Sequence, residues 1–428
     1  MKGCSLSVYP SAQHDDVFIK YAIDNLFAQP TASRPRLRHH QSWLEHRGTT
    51  APAHEPSLLC LRALATTFFG TTHQDPRIIQ RGSTLYGQAL QMLNKRLGDP
   101  VAVAHVDILV DTMIMVVYEL MILTVPHAWM YHAEGLGRLF QRLGPSAFTE
   151  PLTMDILDAS RTLILLQCMI QRKHCFLADQ KWQQVLRGQG RKADFLIQIH
   201  DLLCFVPGLM EQADQLAKFG TSLERHQRAK IVYQQILDCF HYVFEWRIRW
   251  QQENATSAVR QEDVSWISTR EHNNTCFAIN SSATTLLGIA QVHFACLHDA
   301  TCIALYDATL LTLYRLMQAI PGGEDFKMSE GLPKVNNVVV IDKYTRTLLL
   351  PTSSDLHPTD VAIEICRTVD FHLSSEHRNM GSFNLIYPLR TAWSALACRP
   401  DIRLWISEIL DTIARENTFK VGRVGASA

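Results

Sequence analysis

Apolar residues recur along this chain at helical spacing, and glycine and proline interrupt them at short intervals. Over 77–97, Ile78, Ile79, Leu85, Ala89, Leu90, Leu93 and Leu97 share one side of a predicted helix. Asp75-Pro76 supplies its N-cap and first-turn proline, and Gly98, Asp99 and Pro100 stop it. An apolar run over 58–69, ending at Gly70, predicts the helix before it. Three amphipathic blocks follow between 101 and 182, with joints at Pro126, Gly144-Pro145 and Pro151. Further helices are expected over 17–27, 195–205, 209–219 and 224–250. The stretch 284–320 reads as one long or two shorter helices, and 361–373, 386–398 and 403–415 close the chain. The segments 34–47, 187–192 and 251–274 read as loops. Gly, Pro, Ser and Asn are spread through 322–360. Inside it, β-branched runs at 337–341 and 345–350 predict a small β-hairpin. With no alternation of strand and helix, the pattern predicts an all-α fold, a multi-helix bundle. The periodicity alone also allows an α-solenoid.

Composition narrows the class. Hydrophobic residues make up 47% and charged residues 19%, which is globular rather than disordered. The 41 basic and 41 acidic side chains cancel, so no general field favours nucleic acid or a membrane surface. DNA contact would need a local basic patch. The clearest basic run is Arg34, Arg36, Arg38, His39 and His40, and a solvated loop is its preferred reading. The most apolar stretch, 106–125, carries Asp107, Asp111 and Glu119, which favours a buried core helix over a membrane span. The first sixteen residues carry no targeting pattern. The 11 scattered cysteines read as reduced, buried thiols.

Few residues point to chemistry. No C-x2-C pair, G-x-S-x-G, Walker loop or H-E-x-x-H occurs. His293, Cys296, His298 and Cys302 form the best metal-like group. On a helix, however, His298 and Cys302 share one face while His293 and Cys296 share another. A single tetrahedral site is hard to build from them, so no metal and no cofactor are expected. Asp107, Asp111 and Tyr118 fall on one stripe, and with Trp129 and His132 they are the candidate ligand-binding residues. Met113, Met115, Met121 and Met130 lie among them, as suits an adaptable pocket, although ordinary core packing is the preferred reading. Gly135, inside a strongly helical block, predicts close approach of another helix near Trp129 and Leu139.

The order of these features resembles the regulatory domain of fungal-specific transcription factors. Trp129, His132, Gly135, Leu139, Arg142, Gly144-Pro145 and Phe148 carry the resemblance, followed by Cys175-Phe176-Leu177 and Trp182. Upstream, 63–70, the helix of Tyr86, Ala89-Leu90, Leu93 and Leu97, and Tyr118-Glu119 are similar to the same pattern. Downstream, Ile386-Tyr387-Pro388-Leu389 and Ala392-Trp393 are similar to its closing helix. The resemblance implies one helical domain over 15–415 between tails 1–14 and 416–428. It also implies control of transcription, in fungi often of secondary-metabolite pathways, and a nuclear location with some cytoplasmic pool. Such regulators usually carry six closely spaced cysteines holding two zinc ions, a pattern absent from these residues. DNA binding is therefore expected to be indirect or weak. The expected partners are transcriptional proteins or a small hydrophobic ligand, with no membrane and with homo-oligomers among the expectations. Two alternatives stand beside the regulator: a helical-pocket, cyclase-like enzyme acting on a hydrophobic metabolite, and a helical interaction scaffold. The resemblance carries no catalytic residues, and an enzyme is the less favoured reading.

Overall fold

In a computed structural model, residues 13–26, 58–99, 106–187, 194–218, 222–254, 292, 294–331, 348, 356–374, 376–416 and 419–423 are described. Among these residues there are helices and turns and no strand. The expected all-α architecture is therefore the observed one. The hairpin expected near 337–350 and the basic run at 34–40 lie outside the described residues. No helix among the described residues is long and apolar enough to cross a membrane.

The chain divides into two compact units, and the boundary falls within one helix, between Ser160 and Arg161. The first unit is built from α1 (Gln13–Asn25), α2 (Leu59–Thr72), α3 (Pro76–Leu97), α4 (Val106–Ile122), α5 (Ala128–Leu143) and the start of α6 (Pro151–Gln171). The Asp75 carboxylate caps α3 as its sequence predicts, accepting from the Arg77 amide at 2.9 Å. Helix α4 is the spine of this unit: every residue from Ile108 to Met121 is buried, and α2, α3 and α5 pack on it. A helix buried on all sides shows no amphipathic stripe, which is why this block reads as continuously apolar. Asp15 of α1, 1% exposed, ties three helices together, binding Arg62 of α2 at 2.8 Å and Arg81 of α3 at 2.6 Å.

The second unit contains the rest of α6, then α7 (Gln180–Arg187), α8 (Phe195–Leu203), α9 (Val206–Gln215), α10 (Ser222–Asn254), α11 (Leu297–Gln318), α12 (Pro358–Arg367), α13 (Val369–His372), α14 (Arg378–Ala395) and α15 (Pro400–Glu416). Its spine is α11, buried without a break from Asp299 to Leu313 and covered by α8, α9, α10, α12, α13 and α14. Its threonines avoid burying bare hydroxyls by donating to the preceding turn: Thr301 to the Leu297 carbonyl, Thr309 to Leu305 and Thr312 to Ala308, at 2.7–2.8 Å. Helix α14 begins earlier than the sequence pattern suggests and carries Pro388 in its interior. The polar residues of its first turns hid the helix from a periodicity reading.

The glycine expected to mark a close helix contact does not. A Cβ on Gly135 would meet nothing within 4 Å, so no neighbouring helix explains that residue. The close approach lies between α2 and α3, where a Cβ on Gly82 would stand 2.0 Å from the Thr67 hydroxyl and 2.9 Å from its amide nitrogen. Gly82→Ala is therefore expected to destabilise by about 1–3 kcal/mol, because backbone must move to admit the methyl group. Gly135→Ala is expected to stabilise by roughly 0.5–1 kcal/mol through helix propensity alone. Denaturant midpoints of the two variants should shift in opposite directions.

In the second unit, His372 is fully buried, and its Nδ1 lies 2.9 Å from the Thr368 carbonyl. Burial pulls its pKa down from 6.5 to about 4. The unfolded chain then binds a proton below pH 6.5 that the folded chain refuses until about pH 4. Stability is lost as pH falls through that window, by roughly 3 kcal/mol from this residue. Stability measured from pH 7 to pH 4 should fall less steeply, by one proton, in His372→Gln than in the parent chain.

Candidate functional site

The polar groups of the first unit converge on α4. Tyr86, on the buried face of α3, lies with its ring stacked on that of Tyr118 at a centroid distance of 4.0 Å. Its hydroxyl donates to the carboxylate of Glu119, which is 1% exposed. The same carboxylate accepts from the Thr124 amide at 2.9 Å and the Thr124 hydroxyl at 2.7 Å. Three donors keep this buried charge bonded. They also secure the turn leaving α4, where Leu123 holds a left-handed backbone with φ of 53°.

His132 extends the row outward. Its Nε2 lies 3.2 Å from the Tyr86 hydroxyl oxygen. Burial lowers the imidazole pKa, against an opposing pull from Glu119, so the ring is neutral at pH 7. Burial, then the hydrogen bond to Glu119, hold the Tyr86 hydroxyl protonated far above its ordinary range. The Tyr86 proton points at Glu119, so its oxygen accepts from His132, and the imidazole proton sits on Nε2. The result is a directed row, His132 to Tyr86 to Glu119, from a partly exposed ring to a buried carboxylate. It suits proton relay, or recognition of a polar ligand group at His132. Glu119 is engaged by structural donors, so the row holds no base facing outward except the imidazole.

The candidate residues separate accordingly. Tyr118 and His132 are brought together through Tyr86. Trp129 is buried three residues before His132, on the same face of α5. Asp111 is fully buried, but its carboxylate is held by Arg96 near the end of α3, one of the unit's internal ion pairs. Asp107 lies in the first turn of α4, partly exposed. Neither Tyr86, the centre of the row, nor Glu119, its buried end, is among the sequence candidates. Both residues were visible in the sequence as parts of the family pattern. What was missing was the pairing of two helices 33 positions apart.

The model of the fungal specific transcription factor domain matches residues 16–309, well over half of the chain. The chain belongs to the fungal-specific transcription factor domain family. The match takes in the whole Tyr86–Glu119–His132 row and most of α11. An uncharacterized protein of Emericella nidulans is 25% identical over 123 residues, which are 29% of this chain. The chain spans about a quarter, 26%, of that relative's length. No solved structure matches the chain. By its description this is the domain of fungal-specific transcription factors.

Tyr86→Phe removes one donor from Glu119 and the acceptor of His132 while keeping the stacked ring. It is expected to cost about 1–3 kcal/mol of stability. Thr124→Val, which removes the hydroxyl donor alone, is expected to cost less. Measured together in a double-mutant cycle, the two substitutions should be non-additive, because they share one carboxylate.

Proposed function

We propose that this chain is a transcriptional regulator of a fungal secondary-metabolite pathway. It works through protein partners or a sensed small hydrophobic ligand rather than by reading DNA itself. The observation that carries this reading is the family match over residues 16–309. Two features of the sequence support the indirect mode. No cysteines in these residues have zinc-cluster spacing, and the net charge is +0. The His132–Tyr86–Glu119 row is where a ligand's polar group would be read, since His132 is its partly exposed end.

The test is chromatin localisation of the chain in its own cells, with transcript measurements in the presence and absence of the gene. The expected result is enrichment at a limited set of promoters, with those transcripts changed on deletion. In vitro, the purified chain should bind duplex DNA weakly, without sequence preference and with a steep loss as salt rises. Sequence-selective nanomolar binding at physiological salt would overturn the indirect mode. A uniform chromatin distribution with unchanged transcripts would overturn the regulatory reading.

A further inference from the structure

The second unit brings together three side chains of metal-binding type. His298 and Cys302 lie one turn apart at the start of α11, with Cys302 Sγ 3.6 Å from His298 Nε2. Asp194, immediately before α8, places its Oδ1 2.9 Å from the same Nε2. One ligand atom from each residue lies within 4.8 Å of the others. Asp194 is distant in sequence, so the group cannot be found by scanning for histidine and cysteine spacing. Packing of α8 on α11 creates it.

The Nε2 of His298 is shared by two neighbours, and a single ring nitrogen serves only one of them at a time. If Nε2 carries a proton and donates to Asp194, the Cys302 thiol has no acceptor on the ring. If Nε2 is bare and accepts the thiol proton, its lone pair faces a carboxylate. Nor is the trio a nucleophilic triad. Both the acid and the thiol address Nε2, leaving no second ring nitrogen for the orienting carboxylate, and Cys302 is fully buried.

We propose that Asp194, His298 and Cys302 bind one borderline-soft divalent metal ion, zinc in the first instance, separate from any zinc-cluster DNA reader. The ordinary zinc bond lengths to nitrogen, sulfur and oxygen give tetrahedral edges of about 3.4 Å between N and O and about 3.6 Å between N and S. The second edge is already present at 3.6 Å, and the first requires the 2.9 Å contact to open by about 0.5 Å. A carboxylate, a thiolate and a neutral imidazole around Zn2+ make an electroneutral set, the combination a buried position tolerates. Binding displaces the thiol proton to solvent and leaves the ring proton on Nδ1, since the metal takes Nε2, so affinity rises with pH. The fourth position falls to water. The side chains of Asp194 and His298 remain 27% and 14% exposed, which provides an entry path. The bound ion would fasten the N-terminal cap of α8, where Asp194 accepts from the Leu196 amide at 2.8 Å, to the first turn of α11.

The test uses the full chain, stripped of metal and titrated with Co2+ and then Zn2+. The expected result is one equivalent of Co2+ with a thiolate-to-cobalt charge-transfer absorption, displaced by Zn2+, and a thermal midpoint that rises with zinc. Cys302→Ser should abolish the absorption and weaken binding by more than about 10-fold. Asp194→Asn keeps an oxygen for the α8 cap. It should retain the absorption but bind about 10-fold more weakly. Cys296→Ser should match the parent chain. No thiolate absorption in the parent, or parental affinity in both Asp194→Asn and Cys302→Ser, would overturn the site. If Cys302→Ser does not fold, the Asp194→Asn titration decides alone.

Discussion

Each unit of this protein depends on a helix that is buried on every side. Helix α4 in the first unit and α11 in the second leave almost no residue in water. The hydrophobic effect favours such a spine, since nearly all its side chains leave solvent together. The same placement makes every polar atom on the spine a liability. Each must find a partner inside its own unit or be neutralised.

The polar residues of the two spines show how that demand is met. Threonines bond to their own helix. Asp111 takes Arg96, and Glu119 takes Tyr86 and Thr124. On α11, Asp307 is pushed well above its ordinary pKa by burial and by Glu364, and the Arg247 guanidinium nearby lies over the rings of Trp250 and Tyr306. These clusters are consequences of burial before they are anything else. The proposed ligand and metal sites are the clusters that reach the surface: the His132 end of the first-unit row and the Asp194–His298 edge of the second-unit trio. In both places a buried, oriented set of groups meets a partly exposed one, and there a ligand or ion can be recognised with little reorganisation.

The two glycine positions illustrate how packing decides what local rules leave open. Gly135 and Gly82 both cost helix propensity to the same degree, so a sequence argument treats them alike. Only the path of α2 distinguishes them, because it brings the Thr67 backbone against Gly82 while Gly135 faces open space. Likewise His298 and Cys302 were legible as sharing a face. Without Asp194 they were two ligands, too few for a site, and Asp194 arrives only through the packing of a separate helix.

By itself the sequence determined the helical class, the position of most helices, the Asp75 cap, the absence of a membrane-length apolar helix among the described residues, and the family. These follow from periodicity, turn chemistry and the order of short motifs, all of which act over a few residues. The tertiary structure alone decided which polar residues work together. It joined Tyr86 to Glu119 and His132, assigned Asp111 to Arg96, and set Asp194 beside His298 and Cys302. The physical reason is range. A helix's period says which side of it is apolar, but a buried charge is matched by whichever helix packs against that side, and that choice is made by the whole core.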